Sequence, residues 1–183
     1  MKKLILFAAI LFAGVSVVHA QTSDNGNVDL TVNLSAVQSI IVDGSIVIDY
    51  LTADDYDKGK GSEDKTTLSV TSSGCYAIRV TATDLQGPAG STPIAASTIK
   101  VAAKGVSDNA KGSNSEDIET TDFAINNTDA LISSDTGGSK IEYEISYKGT
   151  GADAYYDNYN SATDSESGIQ KYTTKVTYTI TAS

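Results

Sequence analysis

Histidine is almost missing from this sequence, and the single one, His19, falls inside an N-terminal apolar stretch. A Ser-His-Asp or Cys-His constellation downstream of that stretch has no imidazole to work with. Zinc sites of the usual His/Cys type lack their ligands for the same reason. Cysteine is limited to Cys75, so no disulfide can form within the chain and the core has to stand on packing. That thiol reads as an unreactive side chain at a strand start, with pairing to a second chain as the alternative. Tryptophan is absent, there are two prolines, and Arg79 is the sole arginine. Neither glycine-rich phosphate motif, GxGxxG or GxxxxGK[ST], occurs. Glycoside hydrolysis needs only two carboxylates, but no spacing singles out a pair. The sequence therefore reads as a non-enzyme with no cofactor.

What is present begins with a leader. Lys2 and Lys3 precede an apolar run from Leu4 to Val18, and Val18-His19-Ala20 supplies a signal-peptidase site. Residues 1–20 are expected to be a cleaved signal peptide and residues 21–183 a single domain. The run is short for a membrane span, and no second one follows, so no membrane insertion is expected. The chain is expected to be exported, to the periplasm, the cell surface or the medium. Cleavage removes two lysines and no acids, which takes the formal charge from −10 to −12. That balance opposes binding to nucleic acid, whose phosphates need basic side chains.

The rest of the chain alternates. Tyr172, Thr174, Val176, Tyr178, Ile180 and Ala182 share one parity against Lys171, Thr173, Lys175, Thr177, Thr179 and Thr181, which predicts a long half-buried strand from Lys171 to Ala182. Val28, Leu30, Val32 and Leu34 predict a first strand of the same kind. Between them, strands are expected at Thr66–Thr71, Tyr76–Ala82, Phe123–Ile125 and Ile141–Tyr147. The apolar parity changes between Ile94 with Ala96 and Ile99 with Val101, which predicts a bulge or break near Ser97-Thr98. Asp43-Gly44, between Ile40-Ile41-Val42 and Ile46-Val47-Ile48, predicts a hairpin with a type I′ turn. Thr52–Lys65, Lys104–Thr121 and Gly149–Gly168 read as polar loops, and no sustained helical period occurs. Some eight or nine short strands without helices predict an all-β sandwich with Greek-key connections.

Two loops carry candidate ligand groups. Asp54, Asp55 and Asp57, and separately Asp153, Asp157, Asn158 and Asn160, are clustered hard oxygen ligands. Neither run matches the twelve-residue calcium loop, and no metal site is assigned. Tyr155, Tyr156 and Tyr159 lie among Asp and Asn and suit a carbohydrate or other adhesive contact. The alternative is that these rings cover an edge of the sandwich.

The leader followed by Val28-Asp29-Leu30-Thr31-Val32-Asn33-Leu34, with Tyr172-Thr173-Thr174-Lys175-Val176-Thr177-Tyr178-Thr179-Ile180-Thr181-Ala182 further on, resembles secreted bacterial fimbrial subunits of the spore-coat-U-like pilin type. The resemblance implies an immunoglobulin-like sandwich and self-association or association with related fimbrial subunits. It also implies passage through a periplasmic chaperone and an outer-membrane usher. Val28, Leu30, Val32 and Leu34 would insert beside Tyr172, Val176, Tyr178 and Ile180 of a neighbour. Two alternatives stand beside it. The two strands could pair within one domain, or the chain could be a self-contained secreted binding module, for carbohydrate or dependent on calcium, that uses the Tyr155–Tyr159 loop.

Overall fold

The computed structural model describes residues 27–112, 116–159 and 168–183. The expected signal peptide and Asn160 lie outside the described residues. Residues 1–34 and 35–183 form separate units.

Among the described residues of the second unit, nine strands form two antiparallel sheets. The larger sheet takes β1 (Gln38–Asp43), β3 (Thr66–Ser72), β8 (Gly138–Gly149), β5 (Ile99–Gly105) and β6 (Glu119–Ala124) in that spatial order, and β2 (Lys60–Gly61) pairs with the end of β8. The smaller sheet has the order β7 (Ile132–Ser134), β4 (Tyr76–Ala82), β9 (Val176–Ala182). An immunoglobulin sandwich lays strands A-B-E-D in one sheet against C-F-G in the other. Here β1, β3, β8 and β5 occupy A-B-E-D and β4 and β9 occupy C-F, with the same chain order. The fold is thus an immunoglobulin-like, Greek-key sandwich. β6 and β7 widen it on one side.

Alternation builds the core. In β3, Leu68 and Val70 are buried while their neighbours Thr67 and Ser69 are not; in β8, Ile141, Tyr143, Ile145 and Tyr147 are buried between Glu142, Glu144 and Ser146. Tyr76, Ile78 and Val80 of β4 face them. Two hydroxyl–hydroxyl hydrogen bonds then cross from sheet to sheet, Tyr76 to Tyr143 and Tyr147 to Tyr178. A buried tyrosine needs a partner for its hydroxyl, and here each one supplies the other's. The pairs tie β8 to both β4 and β9 in a chain that has no disulfide. Cys75 itself is exposed just before β4, and its thiol donates to the Asp135 carbonyl at 3.0 Å.

Several expectations change. Ile40–Val42 lie in β1 and pair with β3, and Ser45–Tyr50 forms no ladder. A type I′ turn needs positive φ at both central residues, and only Gly44 has it, at 123°. The expected loop after Thr52 contains a short helix, α1 (Ala53–Lys58), closed by a capping box: the Thr52 hydroxyl accepts from the Asp55 amide at 3.3 Å, and the Asp55 carboxylate accepts from the Thr52 amide at 2.9 Å. The terminal strand starts at Val176 instead of Lys171. Tyr172 leaves the alternation because its hydroxyl donates to the Asn158 carbonyl at 2.6 Å, and Thr173 bridges to Gln86. The parity change near Ser97-Thr98 is a single 3₁₀ turn, Ala96–Thr98, that turns the chain into β5.

Candidate assembly edge and tyrosine corner

An antiparallel sheet leaves backbone donors and acceptors bare at its edges, and folded proteins blunt them. The edge strand β6 carries a register shift against β5 and Asp122 at φ 51°, which breaks a flat edge. The edge strand β7 has three residues. The remaining edge strands, β1 and β9, have neither device. β9 is the longer: it runs for seven residues paired to β4 without a shift, and among the described residues no strand pairs with its other side. That side is where the seventh immunoglobulin strand lies.

The larger sheet shows the counterpart. Ile40 and Val42 stand opposite Val70 and Leu68 in the β1–β3 register, so they share the inward face. Yet Ile40 is only half-buried and Val42 is 45% exposed, whereas Leu68 and Val70 are fully buried. Among the described residues the smaller sheet stops at β9. β1 and β9 come within 8 Å of each other, Cα to Cα, and share no ladder. Beyond β1, Val47 and Leu51 are exposed while Ile46 and Ile48 pack partly on the core.

The expected assembly residues fall in three places. Tyr178 is buried in β9, and Val176 and Ile180 are half-buried beside it, all on the inward side of the bare edge. Tyr172 lies outside β9 and packs its ring over Gly87. In the first unit, Val28, Leu30, Val32 and Leu34 are 70–90% exposed and form no strand, which corrects the expectation of a first strand here. The physical reason is that an alternating segment becomes a strand only when a ladder receives it.

The tyrosines of the other candidate site separate as well. Tyr155 is 7% exposed and its hydroxyl meets the Thr98 hydroxyl at 2.7 Å, so it belongs to the core. Tyr50 packs edge-on against it at 5.1 Å and donates to the Thr150 carbonyl at 2.7 Å. Burial, then the neighbouring Tyr155, hold the Tyr50 hydroxyl well above the ordinary tyrosine range. Tyr156 is half-exposed and stacks on Tyr56 with centroids 4.6 Å apart, and Tyr159 is partly exposed. Of the acidic groups in the first loop, Asp54 pairs with Lys58 at 2.6 Å and Asp55 caps α1. Three hydrogen bonds, from the Leu51 amide and the Thr52 hydroxyl and amide, keep the Asp55 carboxyl below its usual range.

Gly151 locks this corner. A Cβ there would overlap the Asp57 carbonyl oxygen and the Gly59 amide nitrogen. Gly151→Ala is expected to lower stability by about 1–3 kcal/mol, read in urea melts. Gly74→Ala, where a Cβ meets nothing within 4 Å, should be close to neutral.

Compared with known proteins, the chain matches no family model and no curated sequence.

Proposed function

We propose that this protein is a structural subunit of a bacterial surface fibre, assembled by addition of a strand from one copy to the sandwich of the next. The carrying observation is that β9 is a seven-residue edge strand with no partner on its outer side among the described residues, close to inward-facing Ile40 and Val42 of β1, which are only partly covered. The chain also holds the kind of segment such an edge takes. Val28, Leu30, Val32 and Leu34 alternate with polar residues, and all four are exposed. Laid against β9 of a second copy, they face Val176, Tyr178 and Ile180 and cover Ile40 and Val42. An added strand sits about 4.8 Å from β9. Two such spacings exceed the present separation of β1 and β9, so β1 has to move outward to admit the strand. The leader residues Lys2 to Ala20 and the resemblance to fimbrial subunits support export, with a periplasmic chaperone and usher as partners that keep the edge covered before assembly.

Light scattering and electron microscopy on residues 21–183 over a concentration series test this. Ladders or filaments are expected from the intact segment, and monomers from a chain without residues 21–35. Polymers of unchanged length from the shortened chain would overturn it.

A further inference from the structure

We propose that a cleft on the outer face of the larger sheet, walled by α1 and by residues Gly149–Ala152, binds a saccharide that carries a carboxylate. The cleft has a volume of about 330 Å³, which is room for about one sugar ring. Its charge is unusual for this chain. Lys100 and Lys148 stand directly opposite each other in the β5–β8 register, on the face away from the buried Val101 and Tyr147. Like charges directly opposite across a sheet disfavour it. The chain has 23 acids against 13 bases, so an acidic partner was available. Even so, among the described residues neither lysine enters an ion pair; Lys58, Lys60, Lys65 and Lys111 do, and Lys104, Lys140, Lys171 and Lys175 do not, but of the unpaired lysines only Lys100 and Lys148 line this cleft. Lys58 lines the same cleft. A lysine pair that faces into a cleft and makes no ion pair of its own fits an anionic partner.

The other lining groups narrow the class. Asp57 and Asp122 also line the cleft, and Lys58 is already paired with Asp54, so Lys100 and Lys148 are the two ammonium groups left for a ligand beside two carboxylates. That balance suits a ligand with one negative charge among hydroxyl groups and works against a phosphate dianion. The carboxylates accept hydrogen bonds from hydroxyl groups, while the ammoniums donate to a carboxylate and to ring or hydroxyl oxygens. A uronic acid presents that combination. The wall is also rigid. Gly149 lies against the Tyr50 ring, Gly151 against the α1 backbone, and the Ala152 amide donates to the Asp57 carbonyl at 2.7 Å. A site fixed before binding loses less on binding. The cleft lies on β5 and β8 and not on β1 or β9, so it stands or falls independently of strand addition.

Calorimetric titration of residues 21–183 with a galacturonate disaccharide tests this, with its methyl ester as the uncharged comparison. Saturable binding is expected, at least tenfold weaker for the ester. The double substitution of Lys100→Gln with Lys148→Gln should weaken galacturonate binding at least tenfold. The same variant without ligand should melt at or above the temperature of the unaltered protein, because it relieves the repulsion. A control carrying Lys171→Gln and Lys175→Gln should bind as the unaltered protein does. Equal binding of ester and acid, unchanged binding by the variant at Lys100 and Lys148, absence of saturable binding, or a lower Tm for that variant would each overturn the proposal.

Discussion

Between about pH 10 and pH 11.5 the domain is expected to lose most or all of its stability, with unfolding marked by a rise in tyrosinate absorbance. Tyr76, Tyr143, Tyr147 and Tyr178 are all buried, and burial is the first cause that raises each hydroxyl above the ordinary tyrosine value of 10.0. Within each pair one member is held higher beyond the effect of burial, Tyr143 by its bond to Tyr76 and then by that neighbour's charge, and Tyr178 by the charge of Tyr147 and then by their shared bond. The neighbour's ionisation is eased by that same bond. For an acid held neutral in the fold, the stabilising effect is complete below the unfolded pKa. Above it the unfolded chain releases protons that the folded chain keeps, so stability falls with rising pH. Each group costs up to about 1.4 kcal/mol per pH unit in that range. At pH 11 two such groups remove about 3 kcal/mol and four about 6, against a typical domain stability of about 5–15. Urea melts at intervals from pH 8 to pH 11 read this directly. Tyr143→Phe together with Tyr178→Phe should flatten the alkaline limb by about half, at a cost near neutrality of about 1–3 kcal/mol per broken pair. A stability that stays level to pH 11 would mean that these hydroxyls reach water.

The same tyrosines show what the sequence makes legible. Alternation in Ile141–Tyr147 and Tyr76–Ala82 states which side of each strand is buried, because one face meets the opposite sheet. The break at Ser97-Thr98 is legible too, since a change of parity requires the chain to turn over. Which hydroxyl meets which is not written there, because Tyr76 and Tyr143 come together only through the stacking of two sheets. α1 escapes notice because six residues cannot display a helical period. Its only mark is the Thr52–Asp55 cap. The Lys100–Lys148 pair depends on the register of strands far apart in sequence. The Tyr155-Tyr156 pair reads as one patch, yet consecutive residues turn opposite ways, one into the core and one onto Tyr56. Val28–Leu34 is the instructive case. Alternation records what a segment is able to bury, not that its partner lies in the same domain. The edge of β9, unpaired among the described residues, leaves no mark in the sequence, because pairing across a sheet is set by tertiary structure.

A peptide of residues 27–35, added in excess to a chain that lacks residues 21–35, is expected to raise that chain's Tm by roughly 5–10 °C. Four buried aliphatic side chains contribute about 1.5–3 kcal/mol each, gross. Fixing seven backbone residues costs about 1–2 kcal/mol each, so the two nearly offset. The segment therefore does not order alone, in keeping with the exposure of Val28, Leu30, Val32 and Leu34. In the proposed docking the balance is tipped by what the edge of β9 would supply: a backbone ladder, at about 1 kcal/mol net per hydrogen bond, and the covering of Ile40 and Val42, both now partly open. At one hundred times its Kd, a ligand that binds only the folded chain adds about 2.7 kcal/mol. For a domain of this size each kcal/mol moves Tm by about 2–4 °C. Placing Leu30→Lys and Val32→Lys in the peptide keeps the backbone and sets two charges on the face meant for the core, and it should abolish the shift. A shift of the same size from that peptide would show that the segment acts as a generic cosolute. No shift from either would mean that β9 does not receive this strand, and strand addition through Val28–Leu34 would be abandoned.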